Sequence, residues 1–93
     1  MAERLSEEEI SAELDGVAWQ RDGDAIVLER KFKDFAEAMA FANRVAEAAE
    51  AANHHPDILV HGWNRVRLTL YTHTADGLTA ADFSMARTID ELG

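Results

Sequence analysis

The amino-acid sequence predicts a single α+β domain: a four-stranded antiparallel sheet with helices packed on one face, in the order α-β-β-α-β-β-α. Helix-capping patterns begin at three points in the chain, strand patterns come in two pairs, and one long helical pattern separates the pairs. With 93 residues, 47% of them hydrophobic, the chain is long enough for one modest core. We therefore predict one domain over residues 1–93, in which residues 1–5 are flexible.

The first part of the chain predicts a short helix followed by a hairpin. Ser6-Glu7-Glu8-Glu9 is a capping-box pattern, so a helix is expected from about Glu7 to Leu14. Two strand patterns, Val17 to Arg21 and Ala25 to Phe32, flank the dipeptide Asp22-Gly23. Asp-Gly between two such strands is a strong hairpin signal because both residues tolerate positive φ, and this predicts the first pair of strands.

A long alanine-rich helix is predicted next. Asp34-Phe35-Ala36-Glu37 has the form of a second capping box, and apolar residues at helical spacing continue from there to about Ala52. The alanines have two interpretations, which the sequence leaves open. They are the best helix formers, and they also leave a smooth second face on which another subunit could pack closely.

The second half of the chain predicts another pair of strands and a final helix. Asp57 to His61 and Val66 to Leu70 are strand patterns separated by a turn, and the second alternates apolar and polar side chains. His73 either continues the polar face of that strand or lies just past its end. Thr79 and Asp82 form a third capping box, which opens the last helix.

Composition and charge argue against several function classes. The chain has 9 Lys+Arg and 18 Asp+Glu, a formal net charge of −9, which disfavours binding to nucleic-acid backbones and to anionic membranes. It has no cysteine for disulfides, thiolate metal ligands or a thiol nucleophile. No segment resembles a signal peptide or has the roughly 18 consecutive apolar residues of a membrane span. We expect a soluble cytoplasmic protein.

The most informative stretch is Asn53-His54-His55-Pro56, at the end of the long helix. It holds two of the four histidines and the only proline of the sequence. Because proline restricts the preceding residue to extended conformations, His55 is predicted as the point where helix becomes strand. Histidine exchanges protons near neutral pH, and a fold-back of the following strands would bring His73 to this corner. The sequence thus indicates a proton-transfer site.

Other interpretations of these residues stay open at this point. A zinc site competes with proton transfer because histidine is a common zinc ligand, although adjacent residues rarely direct both rings at one metal. Glu50 is also explained as an ordinary exposed residue near a helix end, and Asp82 as the capping residue of the last helix. Trp63 is also explained by packing, and His61 as a surface residue of its strand.

The spacing of these residues closely resembles the signature of the pterin-4a-carbinolamine dehydratase family. Glu50-x-x-x-His54-His55-Pro56 is followed at family-like intervals by Trp63, His73 and Asp82. The resemblance spans essentially the whole chain. Its further matching segments are Leu5-Ser6-x-Glu8-Glu9, Trp19, Arg30-x-Phe32-x-x-Phe35 and Gly77-Leu78-Thr79.

The resemblance implies a dehydratase that removes water from 4a-hydroxytetrahydropterin to give quinonoid dihydropterin, recycling the pterin cofactor of aromatic amino-acid hydroxylases. Such a reaction needs an acid and a base but no metal or redox cofactor, and none is expected. His54 and His73 are the implied acid/base pair across the substrate ring. The implied roles are catalysis for His54, His55 and His73, and substrate binding or orientation for Glu50, Pro56, Trp63 and Asp82.

The resemblance also implies partners and one departure. Members of the family form homodimers and tetramers, and some relatives bind protein partners as transcriptional coactivators or assembly factors. A protein-binding module is therefore the alternative function, although the presence of all three histidines favours the enzyme. At Ala81 some relatives carry a basic residue, so a contact to the polar edge of the substrate is either missing or made by Arg87.

Overall fold

The computed structural model describes residues 3–92 and confirms the predicted α+β class and element order. All strand pairs are antiparallel, and the sheet order is β1-β2-β4-β3. Within residues 3–92, no helix has the length and hydropathy that crossing a membrane requires. The elements are α1 (Glu7–Leu14), β1 (Gln20–Asp22), β2 (Ala25–Lys31), α2 (Phe35–Ala52), β3 (Asp57–His61), β4 (Arg65–Leu70), a short 3-10 helix (His73–Ala75) and α3 (Ala80–Glu91).

The hydrophobic core lies between the helices and one face of the sheet. Strand side chains alternate between two faces, so every second residue of β2 and β4 points into this core. The opposite face of the sheet, called the open face below, carries mainly polar side chains, as predicted for a sheet covered on one side. The largest fully buried side chains include Ile26, Phe41, Val45, Val66, Leu68, Leu70, Phe83 and Ile89.

The first strand is shorter than predicted, because a segment expected to pair with β2 is held by α3 instead. The backbone N–H of Ala18 donates to Asp90 Oδ2 at 3.0 Å, and the Trp19 indole N–H donates to Asp90 Oδ1 at 2.9 Å. Trp19 is buried in the core as a result. Pairing with β2 therefore begins only at Gln20, although the sequence pattern starts at Val17.

The hairpin turn lies one residue later than predicted. Asp22 pairs with Ala25, so the turn residues are Gly23 and Asp24 rather than Asp22 and Gly23. Gly23 has a φ of 61°, a conformation that glycine reaches without the steric cost of a Cβ atom. Glycine in the first position is typical of one class of tight two-residue turn, so the glycine, not the aspartate before it, sets the register.

The long helix begins as predicted but with an incomplete capping box. The Asp34 carboxylate accepts a hydrogen bond from the Glu37 N–H at 2.8 Å. The Glu37 carboxylate accepts from the N–H of Lys33 at 3.3 Å, one residue before the position that a full box requires. The helix thus gains its cap from Asp34 alone, and the reciprocal bond serves the preceding loop.

The same helix ends at Ala52, as predicted, and its cap is Asn53, two residues before the helix-to-strand corner predicted at His55. Asn53 is left-handed, with φ 51° and ψ 41°, and the next amide, that of His54, donates back to the Ala49 carbonyl at 3.1 Å. This is a common way for helices to end, and asparagine tolerates it better than most residues. The proline therefore follows the corner, and the asparagine makes it.

Two residues of the N-terminal segment make defined contacts, although residues 1–5 were expected to be flexible. Arg4 forms an antiparallel bridge with Thr79, and the Leu5 N–H donates to the Leu78 carbonyl at 2.8 Å. The Leu5 side chain packs against the core. Residues 1 and 2, to which the same expectation applied, lie outside the described residues.

Candidate active site

Three histidines meet at one end of the sheet. A surface cavity of about 300 Å³ is lined by His54 and His55 from the corner after α2, and by residues 71–74, which include His73, after β4. The antiparallel pairing of β3 and β4 explains this convergence, because Asp57 at the start of β3 pairs with Thr69 near the end of β4. The corner before β3 and the segment after β4 therefore lie side by side.

A buried carboxylate holds the His54 ring. His54 Nε2 lies 2.6 Å from Asp82 Oδ1, and the Asp82 side chain is 0% exposed while that of His54 is 18% exposed. A carboxylate offers only acceptors, so Nε2 carries the proton in this hydrogen bond. In the neutral imidazole the lone pair then lies on Nδ1. His54 is thereby fixed in one tautomer, with Nδ1 as the nitrogen able to accept a proton.

A closed hydrogen-bond network holds Asp82 in turn. Asp82 Oδ2 accepts from the Thr72 hydroxyl at 2.7 Å and from the Thr79 N–H at 2.9 Å. The Thr79 hydroxyl lies 2.9 Å from that of Thr72 and is its donor, because the Thr72 proton is already given to Asp82. No buried side-chain nitrogen or oxygen in the described part of the chain lacks a partner. A fully satisfied buried network is rigid, so it fixes the orientation of the His54 ring.

The two interpretations of Asp82 are compatible, because each carboxylate oxygen serves one of them. Oδ2 accepts from the Thr79 N–H and completes the capping box of α3. Oδ1 points to the His54 ring. The helix cap predicted from the sequence and the contact with an imidazole implied by the family resemblance therefore occur in one side chain.

His55 makes a separate, exposed contact. Its Nε2 contacts the Glu50 carboxylate, which α2 presents one turn before the corner, and both side chains are largely exposed. A contact between two side chains this exposed contributes little to stability. The adjacent rings of His54 and His55 thus go to two different carboxylates, and within residues 3–92 no group of three His, Asp or Glu side chains is placed to hold a metal ion.

His73 opens the 3-10 helix just past the end of β4, the second of the two positions that the sequence allowed. Its ring meets Tyr71 edge-on, with 4.9 Å between the ring centroids and an interplanar angle of 79°. The Tyr71 hydroxyl donates to Asp76, and this hydrogen bond raises the pKa of Tyr71 because it favours the protonated phenol. Tyr71 therefore remains a neutral phenol that donates this hydrogen bond near neutral pH.

Sequence reasoning missed several residues around the cavity, among them Tyr71, Thr72, Thr74 and Asp76. Thr72 carried a usable signal, because a threonine between the last strand pattern and His73 sits where a buried hydroxyl could reach the capping aspartate. Tyr71 and Asp76 carried none, since their hydrogen bond depends on the path of the 3-10 helix between them.

The structure does not bring Trp63 or Arg87 to the cavity. Trp63 lies in the β3–β4 turn with a φ of 58°, is 63% exposed, and sits at the end of β3 opposite the histidine corner. Five strand residues at about 3.3 Å each separate the two ends, a distance of about 16 Å. Arg87 donates to Glu13 of α1 at 2.7 Å, so within one chain neither the expected pocket wall nor the expected replacement contact is formed.

Several known proteins resemble this chain. Residues 3–92 match the family described as pterin 4 alpha carbinolamine dehydratase. A protein of Thermomicrobium roseum is 51% identical over 90 residues, which cover 96% of each chain. A protein of Nostoc sp. is 46% identical over 93 residues, which cover 99% of each chain. Both are provisionally named pterin-4-alpha-carbinolamine dehydratase.

Two solved structures are also similar. The transcriptional coactivator/pterin dehydratase from Brucella melitensis matches with a TM-score of 0.89 and 38% identity, over 96% of this chain and 97% of its own. A pterin dehydratase-like protein, identified as a RuBisCO assembly factor in the alpha-carboxysome, matches with a TM-score of 0.65 and 26% identity, over 82% of this chain and 87% of its own. The cavity geometry and these matches lead to one conclusion: the chain belongs to the pterin-4α-carbinolamine dehydratase family.

Proposed function

We propose that this protein is a hydro-lyase that removes water from 4a-hydroxytetrahydropterin, giving quinonoid dihydropterin and recycling the pterin cofactor of aromatic amino-acid hydroxylases. Membership of the family supports a pterin carbinolamine as substrate. The observation that carries the proposal is the His54–Asp82 hydrogen bond of 2.6 Å at a cavity shared with His55 and His73.

The proposed reaction needs one proton donor and one proton acceptor. The C4a hydroxyl leaves as water once it is protonated, and the C4a=N5 double bond forms as N5 loses its proton. Atoms and charge balance without an oxidant or reductant. A positioned acid or base contributes typically about 10²–10⁴-fold to such a step, and imidazole is suited to both roles near neutral pH.

His54 and His73 are the proposed acid/base pair. The Asp82 contact supports His54, because it leaves Nδ1 free to accept a proton and stabilises the imidazolium that results. His73 reaches the same cavity from the opposite segment, with its ring supported by Tyr71. His55, held by Glu50, is the proposed residue that positions the pterin.

The test is direct. A hydroxylase generates the 4a-carbinolamine in solution, and its decay is followed by ultraviolet absorbance with and without this protein. We expect faster decay in proportion to protein concentration. Decay at the uncatalysed rate with folded protein present would refute the proposed function.

We also propose that the protein forms a homodimer through β3. Among the described residues β4 is the only strand beside β3, so the outer edge of β3 presents unpaired backbone groups, with Ile58 and Leu59 exposed. Such edges pair readily with a second copy. If all five residues of β3 pair antiparallel with the β3 strand of a second copy, the two-fold axis passes through Leu59. This register places Asp57 opposite His61 of the partner subunit and Ile58 opposite the partner's Val60, which matches polar with polar and apolar with apolar.

Light scattering on a sizing column checks this assembly. Wild-type protein is expected to be heavier than the 10.3 kDa monomer. Leu59→Arg should shift it toward the monomer, because two like charges would meet at the axis. Gln20→Arg on the opposite edge strand is the matched control and should leave the mass unchanged. A wild-type species of 10.3 kDa alone would contradict the proposal.

A second candidate function is the binding of a protein partner. The open face supports it, because the helices leave it uncovered and Leu59 and Trp63 are exposed at or near it. The two solved structures described above carry coactivator and assembly-factor roles in their names. Variants that lose dehydration through His54→Ala but keep a cellular role of the protein would favour this function. Loss of that role with the histidine would favour the enzyme.

A further inference from the structure

Residues 4 and 5, called the strap below, pair with the end of the loop that runs from His73 to Thr79. Three consecutive loop residues are paired in turn. Gly77 bridges to Thr72 across the base of the 3-10 helix, the Leu78 carbonyl accepts from the Leu5 N–H at 2.8 Å, and Thr79 bridges to Arg4. The strap therefore contacts this loop just before α3, where Thr79 caps the helix.

The side chain of Arg4 lies against Gly77. A Cβ atom placed on Gly77 would lie 2.9 Å from Arg4 Nε, closer than such atoms approach in folded proteins, and 3.1 Å from Arg4 Cδ, a tight contact. Gly77 is buried and is not among the residues with positive φ, so its backbone conformation suits other residues as well. Glycine is required here because the Arg4 side chain occupies the space that any other side chain would need.

We propose that Arg4 is a positioning residue for His73. Gly77 and Thr72 are bridged, so the arginine that covers Gly77 restrains the loop in which His73 begins the 3-10 helix. The charge of the arginine also acts on Tyr71, which contacts the His73 ring and donates a hydrogen bond to Asp76. The pKa of Tyr71 is raised chiefly by its hydrogen bond to Asp76, and the Arg4 charge opposes that rise, which places the guanidinium near this pair.

The first variant of the test is Arg4→Ala. Its kinetic measurement rests on the proposed function, whereas the NMR measurement below does not. We expect kcat for dehydration to fall about three- to tenfold with KM nearly unchanged, less than the roughly 10²-fold that a misplacement of about 1 Å can cost. KM should hold because Arg4 does not line the cavity. Arg4→Lys keeps the aliphatic stem and the charge and should retain most of the activity.

A double-mutant cycle with Gly77 separates positioning from general destabilisation. Gly77→Ala should reproduce the loss, because the added methyl displaces the flexible end of Arg4 without straining the backbone. In Arg4→Ala protein the methyl has room, so the double variant should lose no more than either single variant. Gly16→Ala, whose added Cβ would meet only the Glu13 carbonyl at 3.6 Å, is the matched control.

Imidazole NMR signals give a readout independent of activity. In Arg4→Ala and Gly77→Ala we expect the His73 signals to move while those of His61, on the open face, stay in place, with the urea midpoint unchanged. Unmoved His73 signals, or strictly additive losses in the double variant, would overturn the role of Arg4. If the wild-type protein does not accelerate dehydration at all, the proposed function fails, and the His73 signals alone decide the positioning role.

Discussion

His54→Ala is expected to lower the rate of carbinolamine dehydration by at least about tenfold, toward the 10²–10⁴-fold range of acid/base groups. The substitution removes the Nδ1 lone pair that the Asp82 contact leaves free. His73→Ala should cause a loss of the same order, because it removes the opposite member of the pair. The measurement is the dehydration rate at saturating substrate, with circular dichroism to establish that each variant is folded.

His61→Ala is the matched control for these variants. His61 is the one histidine outside the cavity, and it contacts Glu29 on the open face at 3.0 Å. The same chemical change at this position should leave dehydration at the wild-type rate. Wild-type rates in both His54→Ala and His73→Ala would exclude the acid/base assignment, and equal losses in all three variants would point to a general effect on the fold.

Asp82→Ala is expected to have the largest effect on stability. Removing this fully buried carboxylate leaves three donors without their acceptor: the His54 ring N–H, the Thr72 hydroxyl and the Thr79 amide. Each unsatisfied buried donor costs about 1–3 kcal/mol, and partial entry of water reduces the sum, so we expect a loss of about 2–4 kcal/mol in the free energy of unfolding. Urea denaturation measures it. A loss within experimental error would mean that the network contributes nothing to the fold.

Asp82→Asn separates the tautomer from the cap. If the amide oxygen takes the place of Oδ2 and serves Thr72 and Thr79, the amide NH₂ faces His54 and can only donate. The ring must then present a lone pair on Nε2 and carry its proton on Nδ1, which removes the proposed base. We expect a dehydration loss near that of His54→Ala with a smaller stability loss than in Asp82→Ala. Asp24→Asn, in an exposed turn, is the control.

The elements of the fold were predictable where a local interaction determines them. The Ser6 and Thr79 caps fix α1 and α3 within a single turn of helix, and alternation fixes the faces of β2 and β4. The shortened first strand was not predictable, because it depends on a contact between Trp19 and Asp90, which are 71 residues apart. Local sequence patterns do not reveal a contact between residues so far apart in the chain.

The site divides in the same way. The convergence of His54, His55 and His73 followed from the end of the long helix just before Pro56 and the fold-back of two strands, both visible in the sequence. Trp63 was placed at the site by the family resemblance alone, whereas β3 runs away from the corner and leaves the indole at its far end. The roles of the individual site residues and the cytoplasmic location remain predictions.

The carboxylate of Asp82 links the start of α3 to the His54 ring, which follows α2. Because Oδ2 caps α3 while Oδ1 holds His54, fraying of the first turn of α3 releases the imidazole at the same moment. We expect the two events to form one cooperative opening, so the Thr79 amide should exchange its hydrogen with solvent only when the His54 ring is also released. A substitution of Asp82 therefore affects the helix cap and the orientation of the ring together.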